Sequence, residues 1–283
     1  MERFRITLDD ETHLIGAPEP GVLTVMVDAV VRTDSETGNL VRGCTLSLGG
    51  MDSTAYTSLD SIRYRLEPGA RIGIEVLPDG PFDRPSDPQP MPVPPWAAED
   101  RAKQERAKDE HEPIREAAEY LGWTVIENPT AADLASAAPS APPDAPLPAP
   151  AIDTSSTRGM ERFRVTLRGQ THLIGLPEPA VLSVFLCAVV RSNPGDGPKR
   201  ECTLELGGLH AEVSARWANY DLVAGDKIEI EVLPPGSFDE PASQSTEAQR
   251  EAEYAHYQRD YVRTSAKKLG WAVIEGPTPA LSS

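Results

Sequence analysis

The 283-residue sequence lacks the motifs by which most enzymes are recognised. It contains no G-x-S-x-G nucleophile elbow, no P-loop, no G-x-G-x-x-G after a strand, no H-E-x-x-H and no paired C-x-x-C. The sequence therefore favours a non-catalytic protein over an enzyme. It predicts neither a cofactor nor a metal site.

Positive charge and long apolar runs are also scarce. Lys and Arg number 27 against 44 Asp and Glu, which gives a formal net charge of −17. Such a chain repels phosphate groups, so we expect no nucleic-acid or anionic membrane partner, whereas a basic protein is compatible with this charge. No apolar run approaches the ~20 residues of a membrane-spanning helix, and no secretory leader is recognised.

The sequence has only three cysteines, an odd number. Cys44 and Cys202 fall at equivalent places in apolar, strand-like segments, and Cys187 lies in another apolar segment. The positions of Cys44 and Cys202 predict buried thiols rather than a disulfide bridge. A reducing compartment, and hence a cytoplasmic location, follows as an expectation.

An internal duplication organises the rest of the chain. The opening Met1-Glu-Arg-Phe-Arg-Ile-Thr-Leu8 recurs as Met160-Glu-Arg-Phe-Arg-Val-Thr-Leu167. We therefore divide the chain into a first repeat (1–128), a Pro/Ala-rich linker (129–158) and a second repeat (159–278). The linker composition favours extended, fairly stiff chain, so the repeats are expected to be independent domains.

Alternation of apolar and polar residues predicts strands in both repeats. In 227–233, Ile228, Ile230 and Val232 share one face, which is typical of a half-buried strand. The apolar run 22–31 fits either a central strand or a short buried helix, and its β-branched residues favour the strand.

A charged helix is predicted near the end of each repeat, roughly over 95–121 and 246–269. Pro113 must kink the first helix or begin another, and Gly122 and Gly270 are expected to end the two helices. A short apolar strand anchored by a tryptophan follows each helix. The predicted fold class is α+β: two tandem domains, each a mostly antiparallel sheet with one C-terminal helix and a short final strand.

Two histidines recur at equivalent positions, His13 and His172, each within Thr-His-Leu-Ile-Gly. Histidine titrates near neutrality, so an acid–base or ligand-binding role is one interpretation. The other is a strand residue that faces solvent or is hydrogen-bonded in place. No metal-ligand spacing lies nearby, which favours the second interpretation.

Aromatic residues supply the remaining candidates for binding. Phe82 and Phe238, each followed by Asp, could present an anchor to a partner, although packing of the loop onto the sheet is the simpler reading. Trp217 and Tyr220 of the second repeat correspond to Ser61 and Tyr64 of the first. We expect them in a loop before a strand, where the difference reflects either binding specificity or drift.

The run from Gly207-Gly-Leu209 through Trp217, Leu222-x-x-Gly-Asp226 and Ile228-Glu-Ile-Glu-Val232 to Leu269-Gly-Trp271 resembles a group of small bacterial proteins without an assigned activity. Members of that group usually carry a single copy. The resemblance implies a bacterial origin and a shared fold, and no activity follows from it. The first repeat departs from the pattern at Glu67-Pro68-Gly69-Ala70.

The leading hypothesis is a non-catalytic tandem module that binds another protein, with the two copies giving avidity. An acidic chain of this kind is compatible with a bacterial immunity or defence-accessory factor that neutralises a basic toxin. One alternative is an enzyme of unrecognised type that uses His13 or His172. Another is a β domain that binds a small ligand in an apolar pocket.

Overall fold

The computed structural model describes residues 3–9, 11–17, 19–33, 38–52, 57–83, 89–90, 111–130, 152, 160–193 and 197–276. The chain divides into two compact units. The first, here the sheet unit, comprises 1–92 and 150–245. The second, the helical unit, comprises 93–149 and 246–283.

The strands of the two repeats follow one another in the same order. The first repeat contains the strands β1 (Arg3–Leu8), β2 (Glu11–Ile15), β3 (Gly21–Thr33), β4 (Leu40–Asp52), β5 (Thr57–Arg65), β6 (Arg71–Leu77) and β7 (Gln89–Pro90). The helix α1 (Glu112–Tyr120) and the short strand β8 (Thr124–Ile126) follow them. The second repeat contains the strands β9 (Arg162–Leu167), β10 (Gln170–Ile174), β11 (Ala180–Asn193), β12 (Gly197–His210), β13 (Val213–Asp221), β14 (Lys227–Leu233) and β15 (Ser243–Thr246). The helix α2 (Glu247–Leu269) and the short strand β16 (Ala272–Ile274) follow them. The prediction of an α+β protein with mostly antiparallel sheets is confirmed, and the run 22–31 is a strand.

Two sheets form the sheet unit and share one hydrophobic core. The order of the six-stranded sheet is β10-β9-β14-β6-β1-β2, and that of the eight-stranded sheet is β15-β13-β12-β11-β3-β4-β5-β7. Alternate residues along β3, β6, β9 and β14 are buried in the core, where Phe4 and Phe163 of one sheet join Leu23, Leu46 and other residues of the second. Burial of one face per strand is what the period-two pattern requires.

The two repeats are joined strand to strand at the middle of both sheets. In the β3–β11 pair, Met26 faces Phe185, and in the β6–β14 pair, Gly73 faces Glu229. Each facing pair occupies the same position in the two repeats, so each pairing has local two-fold character. The expectation of independent repeats therefore needs correction, because each repeat completes the sheets of the other.

Reciprocal ion pairs link the repeats as well. The Arg42 guanidinium lies 2.6 Å from Glu178, and the equivalent Arg200 lies 3.0 Å from Glu19. A backbone hydrogen bond also joins the two repeats, since the Gly69 N–H donates to the Val232 carbonyl at 2.8 Å. Such reciprocity is the mark of an isologous interface, here contained within one chain.

The helical unit also combines the two repeats. Pro113 lies in the first turn of α1, where a missing N–H costs nothing, so it begins this helix; predicted helix residues 95–110 lie outside the described residues. The prediction for 246–269 is confirmed: Thr246 and Gln249 form a capping box, and Gly270 ends α2 with φ 72°. Among the described helices, none is long and apolar enough to cross a membrane.

Both helices pack on a small two-stranded sheet. Val125 of β8 faces Val273 of β16, which again occupies the equivalent position. The core of this unit is made of aliphatic side chains and two tryptophans, with Ile114, Leu121, Trp123, Val262, Ala266 and Trp271 among its members. The tryptophans thus anchor the final strands as the sequence predicts.

Candidate functional site

The structure brings the predicted histidines and tyrosines together. His13 Nε2 lies 2.6 Å from the Tyr64 hydroxyl, and His172 Nε2 lies 2.5 Å from the Tyr220 hydroxyl. In each case the histidine comes from the six-stranded sheet and the tyrosine from the eight-stranded sheet. Each pair therefore ties the two sheets together by a hydrogen bond between half-buried side chains.

A third side chain lies beside each histidine–tyrosine pair, and its identity differs between the two repeats. The Tyr220 hydroxyl donates to Gln170 Oε1 at 2.9 Å, so His172 Nε2 must donate to Tyr220, which has only one hydroxyl proton. In the first repeat the equivalent residue is Glu11, whose carboxylate lies 3.7 Å from His13 Nε2. Burial, together with the nearby Glu11 charge, raises the pKa of Tyr64.

Phe82 and Phe238 pack their loops onto the sheet. A Cβ on Gly16 would lie 2.7 Å from the Phe82 ring, and one on Gly175 would lie 3.0 Å from the Phe238 ring, so both positions need glycine for this contact. The next residue extends the hydrogen bonding of the edge strand: the Asp239 carboxylate accepts from Leu173 N–H at 2.7 Å. Phe238 is 8% exposed and belongs to the core.

Trp217 and Tyr220 both lie in β13, so the prediction that they belong to a loop is wrong. The indole is 5% exposed, and its Nε1 donates to the Asp239 carbonyl at 2.7 Å. In the described conformation this ring packs inside the sheet unit instead of facing a partner. The side chain of Ser61, its counterpart, lies outside the described residues.

A charged groove crosses the outer face of the six-stranded sheet. Its volume is about 810 Å³, and Arg71, Gly73, Arg164, Glu229 and Glu231 are among its lining residues. Arg164 and Arg71 both form ion pairs with Glu231, the latter at 3.4 Å. The pairing of opposite charges leaves little net charge with which to attract an ionic ligand.

The helical unit carries the strongest candidate surface, a groove of about 370 Å³ between α1 and α2. We call it the tyrosine groove and define it by its lining residues: Pro113, Glu116, Ala117, Tyr120, Tyr254, Tyr257, Gln258 and Tyr261. It contains four of the seven tyrosines of the chain. None of the predicted site residues belongs to it.

Helical geometry explains why these tyrosines gather. Tyr254, Tyr257, Gln258 and Tyr261 have the i, i+3, i+4, i+7 spacing of one helix face. The buried stripe of α2 runs beside them through Ala255, Val262 and Ala266. The spacing of these tyrosines is the sequence signal from which the α2 side of the groove could have been found.

Three of the four tyrosines of the groove are largely exposed to solvent. Tyr257 is 65% exposed, Tyr254 53% and Tyr120 49%. Tyr120 and Tyr254 meet edge to face with centroids 5.3 Å apart, which joins the two helices. Glu116 is the one charged residue that lines the groove within the described part of the chain.

The described residues contain no group of three or more His, Cys, Asp or Glu side chains that could hold a metal ion. Comparison with protein-family models, curated protein sequences and solved structures gave no match.

Proposed function

We propose that this protein is a non-catalytic binding module that docks another protein at the tyrosine groove. The observation that carries the proposal is the cluster of exposed rings, Tyr120, Tyr254 and Tyr257, around one depression. Tyrosine is enriched at the centres of protein interfaces, because it buries a large apolar area and keeps a hydroxyl for hydrogen bonding.

The groove changes the role proposed for the duplication. Tyr120 and Glu116 come from the first repeat, whereas Tyr254, Tyr257 and Tyr261 come from the second. We propose that the chain is a fused pair of related α+β folds, each ending in a helix and a short strand, and that both are needed to build one site. Avidity between two separate sites is then not required.

The net charge and the cysteine thiols support the proposed kind of partner and the proposed cellular location. A net charge of −17 suits a basic partner, such as the toxin bound by a bacterial immunity or defence-accessory factor. Cys44, Cys187 and Cys202, all within the described residues, are not joined in disulfides, which fits a cytoplasmic protein.

Differential capture tests the proposal. The full chain, the double variant Tyr254→Ala/Tyr257→Ala and the control His256→Ala would each be immobilised and exposed to extract of the source cells. His256 lies on the same helix, is similarly exposed and does not line the groove. A stoichiometric partner retained by the wild type and the control, but not by the double variant, is the expected result. Equal retention by all three chains, or no retention, would contradict it.

The alternative of a small-ligand protein has one observation in its favour. The volume of the tyrosine groove, about 370 Å³, lies within the range of small-molecule sites, roughly 300–1,000 Å³. A thermal shift produced by a small-molecule extract, and abolished by the double tyrosine variant, would favour this alternative.

A further inference from the structure

We propose that the tyrosine groove takes an extended, proline-rich segment of its partner, one that carries arginine or lysine beside the prolines. The inference rests on the proposed function, since it names the class of partner for the same site. It is argued from the ring chemistry, the hydrogen-bonding groups and the charge of the lining residues.

The rings favour a proline ligand. Tyr120 and Tyr254 stand edge to face, and Tyr257 and Tyr261 continue the aromatic surface along α2. Aromatic-lined grooves bind polyproline II segments, because the compact pyrrolidine ring packs on an aromatic face and the ligand has little conformational entropy to lose.

The polar groups of the groove favour an extended ligand over a helical one. The tyrosine hydroxyls and the Gln258 amide are hydrogen-bond donors. A helix uses its own carbonyls internally, whereas a polyproline II segment leaves every carbonyl open to an outside donor. The extended segment therefore offers backbone acceptors to the donors of the groove, whereas a helical ligand offers mainly side-chain acceptors.

The dimensions agree with a short peptide. The helix α1 has nine residues, so it is about 14 Å long. A polyproline II segment advances about 3.1 Å per residue, so about four or five residues span the groove. That length corresponds to about one and a half turns of a polyproline II helix.

Charge selects the flanking residue. Glu116 lines the groove, and the chain as a whole carries a formal net charge of −17. No Lys or Arg lines the groove among the described residues. A segment with arginine or lysine beside its prolines is attracted to this surface, and an acidic one is repelled.

The chain supplies a matched control peptide. Its own linker, 138–150, is rich in proline, contains Asp144 and has no Lys or Arg. A synthetic peptide of this sequence has the required backbone and the wrong charge. Compared with a proline/alanine peptide that ends in arginine, it separates the contribution of charge from that of proline.

Fluorescence anisotropy with the labelled arginine peptide and the full chain tests the inference. We expect saturable binding that weakens about tenfold in Tyr257→Ala and is unchanged in His256→Ala. Replacing the prolines of the peptide by glycine should abolish binding. The linker peptide should bind about two- to fivefold more weakly than the arginine peptide, a difference that shrinks in Glu116→Gln and at high salt.

Each contrary result has its own meaning. If the arginine peptide binds the double tyrosine variant as well as the wild type, the inference is overturned. If no proline peptide binds while capture of a partner still depends on Tyr254 and Tyr257, the assignment to proline fails and the proposed function stands. If capture also ceases to depend on these tyrosines, both fail. Equal binding of the linker and arginine peptides overturns the assignment of a basic partner.

Discussion

Gly73 and Glu229 occupy the same position in the two repeats and face each other across the β6–β14 pair. With glutamate at both positions, two carboxylates would stand about 5 Å apart at the Cβ level and destabilise the pair. Glycine in the first repeat avoids this repulsion at the point where the repeats join. It also opens the charged groove of the outer face.

Restoring that repulsion should be measurable. Gly73→Glu is expected to be less stable than Gly73→Gln by about 0.5 kcal/mol, because the two variants differ only in the charge opposite Glu229. Urea denaturation at low salt and near 1 M salt measures the difference, which should shrink at high salt. A salt-independent difference would show that charge is not the cause.

Separate expression of the repeats tests the joined sheets. Residues 1–128 alone would expose β3 and β6 as long edge strands, and each can pair with its own copy because Met26 and Gly73 lie at the local two-fold points. We expect a homodimer in sedimentation analysis. A stably folded monomer would contradict the requirement for pairing between repeats.

The ion pair between Arg168 and Asp226 distinguishes the second repeat. Asp226 is buried, accepts from Arg168 Nε at 2.8 Å and from Val223 N–H at 2.8 Å, and has Ala70 as its counterpart. Asp226→Asn should cost about 1–2 kcal/mol at pH 7, with the exposed Glu240→Gln as control.

The same pair predicts a pH dependence. The hydrogen bond from Arg168 holds the pKa of Asp226 below its usual value of 3.8. The stabilisation is therefore complete above the pKa of the unfolded chain and is lost as the pH falls through the lower pKa of the folded state. Urea denaturation at a series of pH values measures the stability difference between the wild type and Asp226→Asn. We expect this difference to become smaller from neutral to acid pH. A constant difference would contradict the assigned ion pair.

The loops pinned by Phe82 and Phe238 predict a contrast between two glycines. Gly16→Ala would place Cβ 2.7 Å from the Phe82 ring and should destabilise the protein by about 1–3 kcal/mol. Gly43→Ala, which has no atom within 4 Å of its Cβ, is the control and should change stability little. Thermal unfolding compares the two. Equal effects would mean that Phe82 does not hold the loop rigidly.

Sequence reasoning succeeds here for local structure. The alternation of Ile228, Ile230 and Val232 predicts a strand, and Gly270 marks the end of α2, because burial of one face and positive φ are local requirements. Trp217 is misplaced in a loop because the buried face of β13 includes the small residue Ala215, which weakens the apolar alternation.

Long-range pairing cannot be read in the same way. Equivalent strands such as β3 and β11 have nearly the same pattern, so the pattern does not say whether a strand pairs within its repeat or with the other repeat. The tyrosine groove raises a similar difficulty. The spacing of Tyr254, Tyr257 and Tyr261 defines one face of α2, but the position of Tyr120 depends on how α1 packs against it.

The joining of the repeats within one chain has an evolutionary consequence. In a dimer of identical subunits every substitution appears twice, so a two-fold interface can only change symmetrically. Here each half can vary alone: glycine can face glutamate at positions 73 and 229, and Tyr120 can meet Tyr254 without a duplicate pair. A single, asymmetric surface such as the tyrosine groove can therefore stand on a scaffold whose strand pairings are symmetric.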